Sequence, residues 1–186
     1  ESAPTTSGNF WHYVDGVITI WKGMLAFTSN GDGTCYVSGI GSLKDTDIVI
    51  PSISPAGDTV TAIGENAFKN CTNLTSVEIS NTVTSIGASA FYGCTNLTSV
   101  VIPDSVTSID NYAFRQCDAL TSIIIPDSVI FIGEFAFGNC DKLAPAVLGN
   151  GISTIGSYAF YNCTGLTSIT IPDSVISIGE DVFNNT

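Results

Sequence analysis

Residues 60–80 read VTAIGENAFKNCTNLTSVEIS, and residues 83–103 repeat the phrase as VTSIGASAFYGCTNLTSVVIP. The unit returns without an insertion at a constant spacing of 23 residues (60 to 83, 83 to 106), and a shortened copy, VISIGEDVFNNT, occupies residues 175–186. The residues that open the six units are Val60, Val83, Val106, Val129, Ile152 and Val175. Self-similarity at a fixed period of this length indicates a solenoid, in which each repeat forms one coil.

A unit of this size is too short to bury its own apolar side chains, so the units must stack on one another. Stacking turns each apolar position of the phrase into a column that runs through the molecule. One column is expected to be a spine of phenylalanine, at Phe68, Phe91, Phe114, Phe137, Phe160 and Phe183. A second is expected to be leucine, at Leu74, Leu97, Leu120, Leu143 and Leu166.

The hydrophobic pattern changes its period inside each unit. Val77, Glu78 and Ile79 alternate between apolar and polar, which predicts a strand over residues 74–79. The prolines after three of the equivalent strands suit strand ends, and the neighbouring Asn or Asp favours a turn through Asx hydrogen bonds. A second short extended segment follows and ends at a glycine, which is Asp110 in one unit. We expect a left-handed turn at this position. The residues that follow, 65–71 in the first unit, predict one or two helical turns.

The N-terminal quarter of the chain does not share the phrase. Residues 1–9 are expected to be a flexible tether, and residues 10–44 an N-terminal β cap that shields the first coil. The cap is predicted to contain strands at 17–20, 25–27 and 34–37, with a hairpin turn at 30–33. Its apolar bulk comes from Trp11, Tyr13, Trp21 and Phe27.

The repeat region is placed at residues 45–186, as about six coils with the last incomplete. Residues 48–51 (IVIP) match the strand phrase 29 residues ahead of Val77, and the six extra residues fall in the loop 52–59. We therefore expect six stacked strands, which span roughly 29 Å at about 4.8 Å each.

Residues 103–123, PDSVTSIDNYAFRQCDALTSI, resemble the BspA-like class of leucine-rich repeats. The resemblance covers about residues 45–186. It implies an α/β-type repeat solenoid: a right-handed leucine-rich-repeat coil with a parallel sheet on one face, short helical turns on the other, and here an N-terminal β-hairpin cap. Proteins of this class are mostly bacterial surface or secreted proteins, several of them adhesins for host matrix proteins or partner bacteria. The repeat phrase is structural, so it carries function only by analogy.

The resemblance implies a non-catalytic adhesion or protein-binding module that is extracellular or anchored at the cell surface. A host matrix protein or a bacterial surface protein is the partner implied by analogy. The sequence itself contains neither a signal peptide nor a lipid anchor.

The charge balance argues against nucleic acid as a partner. Seventeen acidic residues face five basic ones, and the net charge is −12. The basic residues are scattered, so the overall field repels a polyanion and an anionic membrane surface. No apolar run approaches the roughly 18 residues of a membrane span, so direct membrane insertion is not expected.

The six cysteines favour a structural interpretation. Five of them occupy one repeat position and form a column, whose parallel Cα–Cβ directions suit neither a disulfide nor a zinc site. We interpret them, with Cys35 in the cap, as buried unreactive thiols and predict no disulfide, metal site or cofactor. The column members are Cys71, Cys94, Cys117, Cys140 and Cys163.

No motif predicts an enzyme. His12 is the single histidine, it lies in the aromatic lead-in, and no nucleophile elbow or phosphate-binding loop accompanies it. The turn column Asn81, Asp104, Asp127, Asn150 and Asp173 could suggest calcium, but two of its five members are uncharged, and Asx turns explain it better.

The outward positions of the strands are the candidate ligand-binding site, since solenoids typically bind on their concave sheet surface. These positions are Val49, Glu78, Val101, Ile124, Val147 and Thr170, with Ser99 and Ser122 beside them. Three consecutive members, Val101, Ile124 and Val147, are apolar, which either marks an interface or reflects β propensity. A rival surface is formed by aromatic residues on the opposite face, namely Tyr92, Tyr112, Phe135, Tyr158 and Tyr161.

The alternative to a binding module is a structural or self-associating element. The last coil is expected to be incomplete, and bare sheet edges recruit partners. Assembly as a homo-oligomer through the C-terminal end is therefore the second hypothesis.

Overall fold

The computed structural model describes the backbone of residues 10–14 and 17–21 and the whole of residues 24–42 and 44–186. The expected tether at residues 1–9 lies outside the described residues, as do the side chains of His12, Trp11, Tyr13 and Trp21. Strands β1 (Phe10–Val14) and β2 (Val17–Trp21) pair as an antiparallel hairpin.

A second hairpin caps the N-terminal edge of the main sheet. Strands β3 (Ala26–Ser29) and β4 (Thr34–Gly39) pair antiparallel, and the amide of Asn30 donates to the carbonyl of Thr34 at 2.8 Å. The turn requires two glycines, since Gly31 and Gly33 have φ of 82° and 84°. The predicted hairpin at residues 30–33 is confirmed. The placement of the cap boundary at residue 44 stays a prediction.

The strands of the repeats form parallel ladders along two faces of the coil. The first face carries β5 (Asp47–Ile50), β7 (Ser76–Ile79), β9 (Ser99–Val101), β11 (Ile123–Ile124) and β13 (Ala146–Val147). The second face carries β6 (Thr59–Ile63), β8 (Ser85–Ile86), β10 (Ser108–Ile109), β12 (Phe131–Ile132), β14 (Thr154–Ile155) and β15 (Ser177–Ile178).

The second face is continuous with the cap. With β3 and β4 its six strands form an eight-stranded sheet in the order β15-β14-β12-β10-β8-β6-β4-β3. The cap strand β4 therefore lies beside the first repeat strand, β6, and pairs with it in parallel. The first face consists of the ladder β5-β7-β9 and the pair β11-β13, with β9 and β11 in contact.

Strand β5, which precedes the first repeat, has the register that the sequence predicts. Ile48 pairs with Val77 and Ile50 with Ile79, an offset of 29 residues. The prediction of six strands on this face is wrong by one, because the segment 169–171 is not a strand. Ile169 and Ile171 belong to the fifth unit, and both are half-buried.

The predicted helical turns are wrong, since the described residues contain no helix at residues 65–71 or at any equivalent position. The amides of Asn66, Phe68 and Asn70 donate instead to carbonyls of the next coil, at 3.0, 2.7 and 2.7 Å. An amide that donates to the next coil cannot donate to the carbonyl four residues back, as a helix requires. This third face, the turn face, is therefore a ribbon of turns. No helix in the described residues is long and apolar enough to cross a membrane.

The expected left-handed conformation occurs two residues after the predicted position. Neither Asp110 nor the equivalent glycines have a positive φ, whereas the residues two positions later have φ between 49° and 60°. The left-handed residues are Asn66, Ser89, Tyr112, Phe135, Tyr158 and Asp181. The glycine serves close packing: a Cβ on Gly156 would lie 2.6 Å from the amide nitrogen of Glu134 in the preceding coil.

The core consists of the predicted columns. The five phenylalanines from Phe68 to Phe160 have no exposed surface, and their rings stack at centroid distances of 5.1–5.3 Å. The leucine column from Leu74 to Leu166 is also buried. Phe183, in the last coil, stacks on Phe160 at 5.8 Å but is only half-buried. Both predicted spines are thus confirmed, and each coil closes the apolar flank of its neighbour.

Candidate functional site

Three large apolar side chains stand exposed on adjacent coils of the first face. Val101 is 62% exposed, Ile124 68% and Val147 50%. In the same strands Val100, Ile123 and Ala146 are buried, so strand alternation alone turns the neighbouring residue outward. We call Val101, Ile124 and Val147 the apolar row.

The pairing of the strands places the members of the row side by side. Ile124 is in register with Val147, and Val101 is in register with Glu78, which itself pairs with Val49. Neighbouring strands lie about 4.8 Å apart, so the three apolar side chains form one continuous patch. Val49 is exposed but is separated from the row by Glu78.

The remaining predicted site residues are also on the surface. Ser99, Ser122 and Thr170 are exposed. The threonine before Ser99 and the threonine before Ser122 form hydrogen bonds between coils. Thr98 donates its hydroxyl to the carbonyl of Thr75 at 2.9 Å, and Thr121 donates to the carbonyl of Thr98. The free polar groups beside the apolar row are therefore the serine hydroxyls.

The acidic turn column follows the strands of the first face. Asp104, Asp127 and Asp173 are exposed, but the predicted Asx hydrogen bonds do not close these turns. Each turn is closed by the backbone, as where the amide of Val106 donates to the carbonyl of Pro103 at 3.1 Å. Asp127 instead accepts a 2.7 Å hydrogen bond from the amide of Asn150 in the next coil. Among the residues that the structure describes, no cluster of His, Cys, Asp or Glu could hold a metal ion.

The cysteine column lies in the core, as predicted for all but its first member. Cys94, Cys117, Cys140 and Cys163 are buried free thiols, whereas Cys71 is half-buried. Each buried thiol donates to the carbonyl of a phenylalanine in the preceding coil, as Cys94 does to Phe68 at 3.0 Å.

Burial raises the pKa of the column thiols. The pKa of Cys94 rises to about 12 and that of Cys163 to about 11, and the pKa values of Cys117 and Cys140 lie well above the ordinary value. These thiols are consequently protonated at neutral pH, and nucleophilic chemistry requires the thiolate.

The rival aromatic surface is packed against itself. Phe135 stacks on Tyr112 at 5.6 Å and on Tyr158 at 4.6 Å, so the ring faces are turned toward one another. The guanidinium of Arg115 lies 4.6 Å from the ring centroid of Phe135. All these side chains are half-buried, which favours a covering role for this surface over a binding role.

Several polar side chains of the repeat form hydrogen bonds between coils that were not predicted from the sequence. The hydroxyls of Thr82, Ser105, Ser128 and Ser174 each donate to a carbonyl 22 residues earlier, at 2.7–2.8 Å. The signal was present, because Ser or Thr precedes the opening Val in four of the five units after the first. These hydroxyls hold adjacent coils together and are not available to a ligand.

Parallel strands, a constant coil length and columns of identical core residues define a parallel β-solenoid of about six turns. The leucine-rich repeat that builds it belongs to a class of generally non-catalytic proteins that commonly mediate protein–protein interactions. The family described as "BspA type Leucine rich repeat region" matches residues 58–186 with six copies, and the chain belongs to this family. The resemblance seen in residues 103–123 is thus confirmed.

Several bacterial leucine-rich repeat proteins of known structure are similar to the chain. One from T. pallidum is 29% identical with a TM-score of 0.75, and the alignment covers 83% of this chain and 78% of that protein. One from Bacteroides ovatus is 33% identical with a TM-score of 0.79, covering 92% and 45%. A leucine-rich cell surface protein from Faecalibacterium prausnitzii is 30% identical with a TM-score of 0.63, covering 86% and 50%.

The chain therefore spans about half the length of two of these three proteins. No curated protein matches the sequence.

Proposed function

We propose that this protein is a non-catalytic binding module that holds a protein partner on the apolar row. The observation that carries the proposal is the exposure of Val101, Ile124 and Val147, which are 62%, 68% and 50% exposed on three consecutive coils. Contiguous exposed apolar surface rimmed by polar groups marks protein interfaces, and a solenoid sheet offers a long rigid platform for one.

The chemistry of the remaining candidate groups supports a binding role over a catalytic one. The thiols of Cys94 to Cys163 are protonated hydrogen-bond donors to the backbone of the preceding coil. The hydroxyls of Thr98 and Ser105 are equally engaged. A nucleophile needs an accessible, activated atom, and these positions supply structural bonds instead.

We propose further that the module acts outside the cell or at its surface. The support is the family itself together with the F. prausnitzii relative, whose name describes it as a cell surface protein. By the same analogy the partner is a host matrix protein or a protein on another bacterium.

The binding site is tested by placing a charge in the apolar row. Ile124→Asp and Val101→Asp should each weaken the affinity for the partner at least about tenfold, since a buried unpaired carboxylate costs more than 1.4 kcal/mol. Binding is measured by surface plasmon resonance against purified host matrix proteins and bacterial surface proteins. Both variants should keep the thermal midpoint of the wild type, because the substituted side chains are exposed.

Ile130→Asp provides the matched control. Ile130 is an apolar residue of the second face and is 54% exposed, so it resembles Ile124 in chemistry but lies on another surface. It should bind as the wild type does. Unchanged affinity in the two row variants, or an equal loss in Ile130→Asp, would contradict the assignment of the site.

A second candidate function is self-association through the last coil. Ile176 is 86% exposed and Ile178 is 51% exposed, and the two side chains lie in or beside β15. Large apolar side chains exposed close together are typical of surfaces that associate.

A further inference from the structure

Acidic side chains lie in the turns before and after the strands of the apolar row. Asp118 and Asp141 lie six residues before Ile124 and Val147, at the same position of consecutive repeats. Asp104 and Asp127 lie three residues after Val101 and Ile124, which is about 10 Å along an extended chain. Because the repeat is constant, each pair of aspartates forms a line parallel to the row.

The two lines differ in how their charges are held. The pKa of Asp118 is raised, first by its partial burial and then by the nearby charge of Asp141, so the two carboxylates repel each other. On the other side Asp104 and Asp127 are exposed, and Asp127 accepts a hydrogen bond from the backbone amide of Asn150 at 2.7 Å. Residues 99–150 contain two basic residues, Arg115 and Lys142, and Lys142 directly follows Asp141.

Arg115 does not offset these charges. Its guanidinium lies among the rings of Tyr92, Tyr112 and Phe135 on the turn face, at 4.6–5.9 Å from their centroids. Lys142 is exposed beside Asp141 and offsets one of the four aspartate charges. Three aspartates remain, and with a net charge of −12 the surroundings of the apolar row still attract cations. A partner that covered the row with acidic side chains would bring like charges together, which costs free energy and slows association.

We propose that the partner held on the apolar row is a basic protein segment with one apolar stripe bordered on both sides by Lys or Arg. This inference rests on the binding role proposed above. The stripe covers Val101, Ile124 and Val147, while the basic side chains reach the aspartate lines on either side. The apolar contact supplies most of the free energy of binding, and the charges supply orientation and a faster association rate.

The test uses three synthetic helix-forming peptides of about 18 residues. The first has a leucine stripe flanked by lysine, the second has the same stripe flanked by glutamate, and the third has the lysine flanks with serine in the stripe. Affinities are measured by isothermal titration calorimetry at about 0.05 M and about 0.5 M salt, where screening lengths differ roughly threefold. The lysine–leucine peptide should bind at least about tenfold tighter than either of the others at low salt, and this advantage should shrink at high salt.

Two sets of variants separate the apolar and the charged contributions. Ile124→Ser should weaken binding of the lysine–leucine peptide about tenfold without adding charge. The double variant Asp118→Asn with Asp127→Asn should weaken it about fivefold and lower its salt dependence. The control Glu65→Gln with Glu180→Gln removes the same charge from the turn face and should change neither.

Each other outcome overturns a defined part of the scheme. Equal binding of the lysine and glutamate peptides, both weakened by Ile124→Ser, would overturn the basic partner but leave the binding role of the row. Equal binding of the leucine and serine peptides would reduce the interaction to diffuse charge and overturn both. Absence of binding by the lysine–leucine peptide at low salt would overturn the inference proposed here.

Discussion

At the scale of single residues, the polar atoms of the repeat serve the neighbouring coil. Cys117 donates its thiol to Phe91 at 3.3 Å, and Ser128 donates its hydroxyl to Val106 at 2.7 Å. Both acceptors are backbone carbonyls in the core-lining parts of the coil. A donor at such a position is fixed by packing, and a buried carbonyl without a partner costs about 1–3 kcal/mol. The residue type is therefore set by a bond that runs between repeats.

The buried thiols make the fold sensitive to alkali. The folded protein holds them protonated, so the stability that they confer is complete below the ordinary thiol pKa of 9.0 and is lost as pH rises toward about 12, the folded pKa of Cys94. By linkage, the titration of Cys94 should cost about 1 kcal/mol of unfolding free energy at about pH 10. Urea denaturation at pH 7 and pH 10 measures the loss summed over the buried thiols, and comparison with a Cys94 variant isolates the contribution of Cys94.

Cys94→Ser is the matched variant for this prediction. A serine hydroxyl can still donate to Phe68 but does not titrate in this range. The variant should lose less stability than the wild type between pH 7 and pH 10, by about 1 kcal/mol. An identical loss in both proteins would show that this thiol does not govern the alkaline transition.

At the scale of elements, the turn face shows how contacts between coils override local preference. Residues 65–71 have the length and the Ala-Phe pair of a helical turn, yet their alternate amides donate to carbonyls of the next coil. The strands are set in the same way, since β8 to β15 on the second face are only two residues long and exist through their ladder partners. Such short strands have no stability of their own.

Close approach of the coils predicts a severe effect of adding one methyl group. A Cβ on Gly156 would lie 2.6 Å from both the amide nitrogen of Glu134 and the carbonyl carbon of Gly133. Gly156→Ala should therefore destabilise the protein by about 1–3 kcal/mol, which lowers the thermal midpoint by roughly 2–12 °C for a chain of this size. Circular dichroism during heating measures the midpoint.

Gly39→Ala is the control for this substitution. A Cβ on Gly39 would meet its nearest atom, the carbonyl oxygen of Ala67, at 3.7 Å, which is an ordinary contact. The midpoint should change by less than about 2 °C. Equal effects of the two substitutions would contradict the assigned role of Gly156 in coil packing.

At the scale of the whole molecule, burial differs between the first and the last described coils of the stack. The β3–β4 hairpin covers the N-terminal edge of the second face, and Leu25 and Val37 of this region are buried in the core. At the other end Phe183 is half-buried and Ile176 is 86% exposed.

The exposed last coil yields a prediction about assembly. If this coil mediates self-association, light scattering should give a mass that rises from monomer toward dimer with concentration. Ile176→Lys should abolish the rise, because a lysine at the interface would be desolvated without a partner. The expected change is from a concentration-dependent mass to a constant monomer mass.

Ile130→Lys is the control, since Ile130 occupies the same repeat position two coils earlier. It should assemble as the wild type does. A strict monomer for the wild-type protein at high concentration would rule out this second function while leaving the apolar row unaffected.

The sequence by itself determined the period of the repeat, the residues of each core column, the register of β5 and the outward position of Val101, Ile124 and Val147. These features follow from local rules, because strand alternation and a fixed 23-residue period determine the side and the column on which each apolar residue lies. The exposure of Ile130 and Ile176 emerged only when the coils were assembled.

Only the tertiary structure decided that the turn face is not helical, that the repeated glycine relieves a contact between coils, and that Ser105, Ser128 and Cys117 are bonded to the preceding coil. The physical reason is that each of these features depends on atoms 22 to 26 residues away in the chain. Propensities and short motifs describe near neighbours, so they carry no information on which backbone amide or carbonyl the next coil will present.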